Sequence, residues 1–190
     1  EDQNQHPQDN NITFWKNLVE RYFDSKASFK FDIFRSPLEK RSFEPCLEAL
    51  PRIFAVKFES GVQKELLNIL NPREYILDDG RFFLECEEAS IVSTIDNMLV
   101  INRGTLRVIF GQDLKIQLWE FMSRECQEYV SREDMHDDGP DSSRVNEFGF
   151  TPEYSRCLLI AEVVESMKSK MVYPNSLANF QAINSADGKK

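Results

Sequence analysis

Histidine is the side chain best suited to acid–base catalysis near neutral pH, and this chain has two, His6 and His136. A histidine that acts as a base must be held rigidly beside its substrate. His6 lies in the polar run 1–11, and His136 lies in the aspartate-rich stretch 131–146. Neither stretch shows the apolar periodicity of a helix or a strand. We therefore expect no catalytic residue and no enzymatic activity.

Two acidic clusters contain residue types that suit a divalent cation. The segment 134–139, Asp-Met-His-Asp-Asp-Gly, resembles the start of a calcium loop, because its glycine stands where such a loop needs one. However, His136 occupies the third ligand position, and Val145 occupies the twelfth in place of a bidentate glutamate. The second cluster, at 85–88, has no histidine or cysteine at ligand spacing. Both clusters indicate hydrated surface, so we expect no metal site and no cofactor.

The composition restricts the partners that this chain can have. The formal net charge of -9 weighs against direct nucleic-acid binding, which needs a basic surface for the phosphates. No stretch approaches the roughly 20 apolar residues of a membrane span. Widely spaced cysteines among apolar neighbours are typical of buried free thiols in a reducing compartment. The four cysteines are Cys46, Cys86, Cys126 and Cys157.

A β-hairpin over 104–121, with its turn at 111–113, is the clearest element that could position functional side chains. Three alternate positions of its second strand are wholly apolar, whereas the positions between them mix charge with Trp119 and Phe121. Large aromatic residues on such a mixed face suit either a core or a contact surface. We predict that Ile109, Trp119 and Phe121 form a dimer interface on this face.

The remaining patterns place helices before and after a strand-rich middle. Apolar residues at helical spacing follow Asn11, a suitable N-cap, and predict a first helix over 14–23. Pro51 at a first helical position predicts a short helix over 50–58. The predicted strands are 29–33, 62–70, 75–77, 81–86 and 91–101, with turns at 79–80 and 102–104. This order predicts an α+β fold with a curved antiparallel sheet and with N-terminal and C-terminal helices.

The C-terminal helix, from 152 to about 170, is apolar over most of its circumference. Such a helix is typically buried on two sides. We predict that one side covers the sheet and that the other binds a partner. The candidate partner-binding residues are Tyr154, Leu158, Leu159, Val163, Met167 and Phe180, the last in a further short apolar segment.

Three groups of segments resemble the LIM-domain-binding family of transcriptional adaptors (Chip/SEUSS-type) in order and approximate spacing. They are Phe14-Trp15 with Leu18-Val19 and Tyr22-Phe23; Leu50–Phe54 with Phe58–Gly61; and Leu106–Phe110 through Asp113–Ile116 to Trp119–Phe121. The resemblance spans about residues 12–130, and a weaker similarity covers 150–171. The plant branch is closer than the animal branch. The Gln/Asn-rich flank suggests a fungal relative, such as the morphogenetic regulator of filamentous growth.

The resemblance implies a dimerisation domain with a cone-like fold similar to the nuclear transport factor 2 (NTF2) superfamily. Proteins of this family act in the nucleus, do no chemistry, bind no DNA themselves, and hold partners with a LisH-type helical dimerisation module. We therefore expect a transcriptional co-regulator scaffold that homodimerises and binds a LisH-containing protein. The alternatives are a ligand-binding or enzymatic member of the same fold, and a purely structural homodimer. The family's LIM-interaction peptide has no match here, so LIM-domain binding is not predicted.

Because the chain begins with Glu1 instead of Met, we expect it to be part of a longer protein. The predicted organisation is a disordered flank (1–11), a LIM-binding-type dimerisation domain (12–130), a mobile acidic loop (131–149), a C-terminal helical partner-binding segment (150–183) and a tail (184–190).

Overall fold

The structure, a computed structural model, describes residues 10–36, 39–130 and 144–171. The helices are α1 (Ile12–Tyr22), α2 (Leu50–Glu59) and α3 (Pro152–Met171). The strands are β1 (Phe23–Ser36), β2 (Glu39–Phe43), β3 (Val62–Leu70), β4 (Arg73–Ile76), β5 (Phe82–Ile95), β6 (Met98–Phe110) and β7 (Ile116–Val130). In this part of the chain the strands form a seven-stranded sheet in the order β2-β1-β7-β6-β5-β3, and β4 also pairs with β5. The predicted α+β fold is confirmed.

The sheet is antiparallel except where β1 meets β7. These two strands run parallel, with Phe29 opposite Trp119 and Phe31 opposite Phe121. The sequence predicted a wholly antiparallel sheet, because neighbouring segments of a meander pair that way. Parallel neighbours need a long connection between them, and here α2 and the strands β3 to β6 supply it.

The two N-terminal helices cover one face of the sheet, here called the inner face. Helix α2 begins at the predicted residue, and α1 begins at Ile12, directly after the predicted cap Asn11 and two residues before the predicted start. The Asn11 side chain caps α1 by accepting a hydrogen bond of 2.8 Å from the backbone N–H of Thr13. Trp15 of α1 is fully buried and stacks on Phe58 of α2 with ring centroids 5.2 Å apart. From α2, Phe54 packs edge-on against Phe29 of β1. The aromatic side chains therefore join both helices to the sheet.

The turn between β5 and β6 lies at Asp96 and the residue after it, and not at the predicted position 102–104. Asp96 takes a positive φ of 50°, which turns allow. Gly104 lies inside β6, where the register against β7 shifts. A Cβ at this position would overlap the backbone carbonyl oxygen of Met122. Glycine is therefore needed here because two strands approach closely, and not because the chain turns at this position.

We expect Gly104→Ala to lower the free energy of unfolding by about 3 kcal/mol, because the new methyl group meets rigid backbone. Gly111→Ala is the matched control, since a Cβ there meets side-chain atoms of Asp113 and Gln117, which can move. Urea unfolding monitored by circular dichroism would compare the two variants. Equal losses of stability would contradict the role assigned to Gly104.

Candidate protein-interaction site

Helix α3 is attached to the domain through one buried face. Tyr154 and Leu158 on this face are only 6% and 2% exposed. The ring of Tyr154 packs edge-on against Phe150, with centroids 5.0 Å apart. The Thr151 hydroxyl lies 2.5 Å from the Ser60 hydroxyl at the end of α2. The prediction that Tyr154 and Leu158 are open to a partner is wrong, because the start of α3 folds against α2 and the sheet.

Asn146 organises the turn that leads into α3. Its Oδ1 accepts hydrogen bonds of 3.0 Å from the backbone N–H groups of Phe148 and Phe150, and its Nδ2 donates to the Ser155 hydroxyl at 3.1 Å. The turn brings Phe150 into contact with the ring of Phe31 in β1, at 5.5 Å. Residues 144–149 of the predicted mobile loop form this turn, and 131–143 lie outside the described residues.

The opposite face of α3 carries exposed apolar side chains. Leu159, Val163 and Met167 are 41%, 57% and 56% exposed. Ile160 and Val164 lie beside them and are 58% and 42% exposed. We call these five residues the α3 stripe. Leu159, Val163 and Met167, which the sequence analysis proposed as partner-binding residues, therefore lie on an accessible side of the helix, whereas Phe180 lies outside the described residues.

Ile109 lies on the outer face of the sheet, the face opposite to the helices. It belongs to an apolar row that crosses four strands in register, formed by Leu118, Ile109, Phe83 and Tyr75. We call these four residues the outer row. Ile109 is half-buried, whereas Tyr75 at the β4 edge is 46% exposed. The outer row therefore runs from the middle of the sheet to one of its edges.

Trp119 and Phe121 lie on the inner face and belong to the core. Phe121 is fully buried, and Trp119 stacks on Phe29 with ring centroids 4.4 Å apart. The prediction that both residues face outward with Ile109 is wrong. The prediction of an outward face depended on the charge of Lys115. In the structure Lys115 lies just before β7 and donates a hydrogen bond of 2.9 Å to the Glu20 carbonyl oxygen at the end of α1. The helices therefore cover the mixed face.

A row of alternating charges lies beside the outer row on the same face. Lys30, Glu120, Arg107 and Glu85 occupy matching register positions of β1, β7, β6 and β5. Their successive N···O distances are 3.4, 3.7 and 2.9 Å. The four side chains are half-buried, with between 15% and 42% of each exposed. This row of charges gives the outer row a polar border.

Exposed apolar side chains are concentrated in two regions of the described residues. Of the 16 large apolar side chains that are exposed, five form the α3 stripe and seven lie on β3, β4 and the start of β5. The seven are Leu66, Leu67, Ile69, Leu70, Tyr75, Ile76 and Phe82. Single exposed apolar residues are ordinary, whereas a contiguous group indicates a contact surface.

A cavity of about 370 Å³ lies between the helices and the inner face. Its wall contains aromatic side chains together with the polar residues Lys57, Glu65, Ser93 and Asn102. Lys57 Nζ lies 2.9 and 3.0 Å from the two carboxylate oxygens of Glu65, and the Ser93 hydroxyl donates to the same carboxylate at 3.3 Å. Sequence reasoning missed this pair, because its members lie on different elements and follow no motif.

Lys57 and Glu65 satisfy each other's hydrogen-bonding groups. Burial alone would lower the pKa of Lys57, but the carboxylate of Glu65 raises it above the ordinary value for lysine. Burial raises the pKa of the neighbouring Tyr154, whose ring Lys57 Nζ approaches to 5.2 Å. A lysine with a raised pKa is a poor base at neutral pH. Both histidines lie outside the described residues.

The cysteines of the described residues are free thiols. Cys86 is buried, and the other three cysteines are half-buried free thiols. Burial raises the pKa of Cys126 to about 11, which disfavours the reactive thiolate. Among residues 10–36, 39–130 and 144–171, no three His, Cys, Asp or Glu side chains are grouped as metal ligands. Over the same residues, no helix combines the length and apolar character of a membrane span.

An α+β domain with groups of exposed apolar side chains on α3 and around β3 and β4 has the surface features of a protein-interaction module. Residues 1–141 match the family model of the LIM-domain binding protein. The chain therefore belongs to the LIM-domain-binding family, as the sequence analysis predicted.

Two named proteins are similar in sequence to most of this chain. The chain is 30% identical over 235 residues to "Transcriptional corepressor SEUSS" of Arabidopsis thaliana, covering 90% of this chain and 27% of that protein. It is 26% identical over 204 residues to "Adhesion defective protein 1" of Schizosaccharomyces pombe, covering 85% of this chain and 52% of that protein. The chain thus spans about a quarter and about half of these relatives. The name of the plant relative suggests a role other than catalysis.

Among solved structures, the chain is similar to an NTF2-like protein of unknown function from Exiguobacterium sp. 255-15. Its TM-score is 0.39 at 10% sequence identity, and the match covers 60% of this chain and 86% of that chain.

We expect Lys57→Met to lower the free energy of unfolding by about 3–5 kcal/mol, because it leaves the Glu65 carboxylate buried without its counter-charge. The double variant Lys57→Met/Glu65→Leu should recover most of this loss, since it removes both charges. Guanidinium unfolding of the wild type, the single variant and the double variant would measure the effect. A double variant as unstable as the single one would contradict the pairing.

Proposed function

We propose that this chain is the interaction domain of a nuclear transcriptional co-regulator scaffold, which homodimerises and binds a LisH-containing transcription factor or co-regulator. The observation that carries the proposal is the α3 stripe, a group of apolar side chains exposed on a helix whose other face is fixed to the domain. Membership of the LIM-domain-binding family and the name of the plant relative support a role in transcription. A role in transcription in turn supports a nuclear location.

The α3 stripe is suited to contact with another helical element. Its residues recur at i, i+1, i+4, i+5 and i+8 from Leu159, the spacing with which an amphipathic helix lies against a partner helix or groove. Because Tyr154 and Leu158 hold the other side of α3, the helix need not fold on binding, and less entropy is lost than by a disordered segment. A LisH module is helical and offers such a partner surface.

The homodimer contact lies, in this proposal, on the outer row and the neighbouring β3–β4 edge. Ile109 stands near the centre of the outer row, with the alternating charges of Lys30, Glu120, Arg107 and Glu85 along its border. An apolar centre with a polar rim is the usual anatomy of a protein interface. The α3 stripe lies on the helix side of the sheet, so a partner there would leave the outer face open. One scaffold can therefore hold both contacts at once.

The partner contact predicts that Leu159→Asp and Val163→Asp each abolish binding to a LisH-containing protein. The introduced carboxylate would lose its hydration in the contact without gaining a counter-charge. Both side chains are exposed, so the change in the free energy of unfolding should stay within about 0.5 kcal/mol. Pull-down with a co-expressed LisH-containing protein would measure binding.

Leu114→Asp is the matched control for this test, because Leu114 is 68% exposed in the turn before β7 and lies in neither proposed surface. It should retain both the partner and the dimer. Retained partner binding by Leu159→Asp and Val163→Asp together would exclude the α3 stripe as the partner site.

The homodimer contact predicts that Ile109→Asp converts the protein from a dimer to a monomer of 22.2 kDa. A specific dimer buries on the order of 1,600 Å² in total, and a charge near the centre of such an area is the most disruptive change. Size-exclusion chromatography with light scattering at micromolar concentration would measure the mass, with Leu114→Asp as the control. A wild-type monomer would refute homodimerisation of this domain, and a dimeric Ile109→Asp would exclude the outer row only.

A further inference from the structure

We propose that the cavity between the helices and the inner face is a binding site for a neutral, flat, largely apolar small molecule with one hydrogen-bond acceptor. Neither the α3 stripe nor the outer row contributes to the cavity wall, and Leu67 of β3 is the one wall residue, among those that the structure describes, that also belongs to the exposed β3–β4 region.

The size and position of the cavity suit a small organic ligand. Its volume of about 370 Å³ lies within the range of ligand pockets, which is roughly 300–1,000 Å³. Side chains from both helices of the N-terminal half and from five strands converge on it, so its wall is rigid. Leu67 of β3 belongs to the wall and is also 43% exposed. The cavity therefore reaches solvent beside β3.

The shape of the wall favours a flat molecule. The rings of Phe29 and Trp119 lie 4.4 Å apart and only 3° from parallel. The ring of Phe54 stands at 78° to that of Phe29. All three belong to the cavity wall. Aromatic rings prefer offset stacked or edge-to-face neighbours, so a wall built from these rings suits a flat aromatic ligand.

The charge of the wall favours a neutral molecule. Lys57 and Glu65 are the charged residues of the described wall, and each neutralises the other at 2.9 Å. An anionic ligand would have to compete with Glu65 for Lys57, and a cationic ligand would have to compete with Lys57 for Glu65. Either competition would break a buried ion pair, which is unfavourable.

Asn102 supplies the polar contact that would orient the ligand. It lies on the cavity wall and is 3% exposed. Its Oδ1 accepts a hydrogen bond of 3.2 Å from the Ser123 hydroxyl. Its Nδ2 carries N–H donors, so a ligand with an acceptor such as a carbonyl oxygen would bind best with that atom at Asn102.

The test uses prodan, a neutral naphthalene ketone whose emission shifts to the blue in apolar surroundings, with the whole chain. We expect a saturable blue shift with one site per chain and competition by ethylnaphthalene. The anionic probe anilinonaphthalene sulfonate should bind at least about tenfold more weakly than prodan. Absence of saturable prodan binding, or tighter binding of the anionic probe, would overturn the proposal.

Two adjacent leucines of β3 locate the site. Leu67→Trp narrows the cavity and should weaken prodan binding by about tenfold or more. Leu66→Trp is the matched control, because Leu66 has a similar exposure of 38% but points to the outer face, opposite Val92 of β5. Both variants change exposed positions, so both should fold. Equal affinities of the two variants would place the probe elsewhere and overturn the proposal.

Asn102→Leu tests the orienting contact. It should weaken binding of prodan but not of ethylnaphthalene, which has no acceptor. Ser123→Ala keeps the Asn102 amide in the wall but removes the hydrogen bond that orients it, so it should weaken prodan binding less than Asn102→Leu does and leave the affinity for ethylnaphthalene unchanged. If Asn102→Leu weakens both compounds equally, or neither, the assignment of Asn102 fails.

Discussion

The pairing of β1 with β7 is the interaction on which the remaining structure depends. It joins the N-terminal segment of α1, β1 and β2 to strands that come some ninety residues later. Its register places Phe29 opposite Trp119 and Phe31 opposite Phe121, so the aromatic core forms across the junction. Without this pairing, α1 and α2 would have no sheet to cover, and the cavity would lose one wall. Parallel pairing over such a distance costs loop-closure entropy, which only a large buried contact can offset.

The same pairing separates the two faces of the molecule by their chemistry. The inner face carries the stacked aromatic rings and the buried Lys57–Glu65 pair. The outer face carries the row around Ile109 and the alternating charges from Lys30 to Glu85. Because the helices occupy only one face, the outer face and the far side of α3 remain open together. The two candidate contact surfaces are thus accessible because the helices cover only one side of the sheet.

Local features were predictable from the sequence where a short-range cause determines them. The cap at Asn11 and the entry of Pro51 into α2 each depend on neighbouring residues alone. The hairpin after Phe110 was also predictable, but its link covers 111–115 and is longer than the predicted 111–113. The sequence also indicated that α3 has two apolar sides. It could not show that Tyr154 and Leu158 face inward while Leu159 and Val163 face outward, because a helix that is apolar all round has no stripe to orient it.

Features that depend on distant contacts were not predictable. Alternation in β7 separates Trp119 and Phe121 from Leu118, but which face the helices cover is decided by α1 and α2. Gly104 resembled a turn residue, and only the approach of β7 shows why a side chain is excluded there. Lys57 and Glu65 are eight residues apart on a helix and a strand, a spacing that no motif records. The residue types of the candidate surfaces were therefore predictable from the sequence. The face of the sheet or helix on which each residue lies was not.

The two ends of the segment 131–143 are both held at the turn between β5 and β6. Val130 pairs with Met98 just after this turn, and Arg144 forms an ion pair of 3.3 Å with Asp96 within it. Lengthening a segment whose ends are already close together adds little closure entropy, about 0.6 kcal/mol for each doubling. The chain can therefore gain or lose residues between these two anchors during evolution, while the direction of α3 stays unchanged.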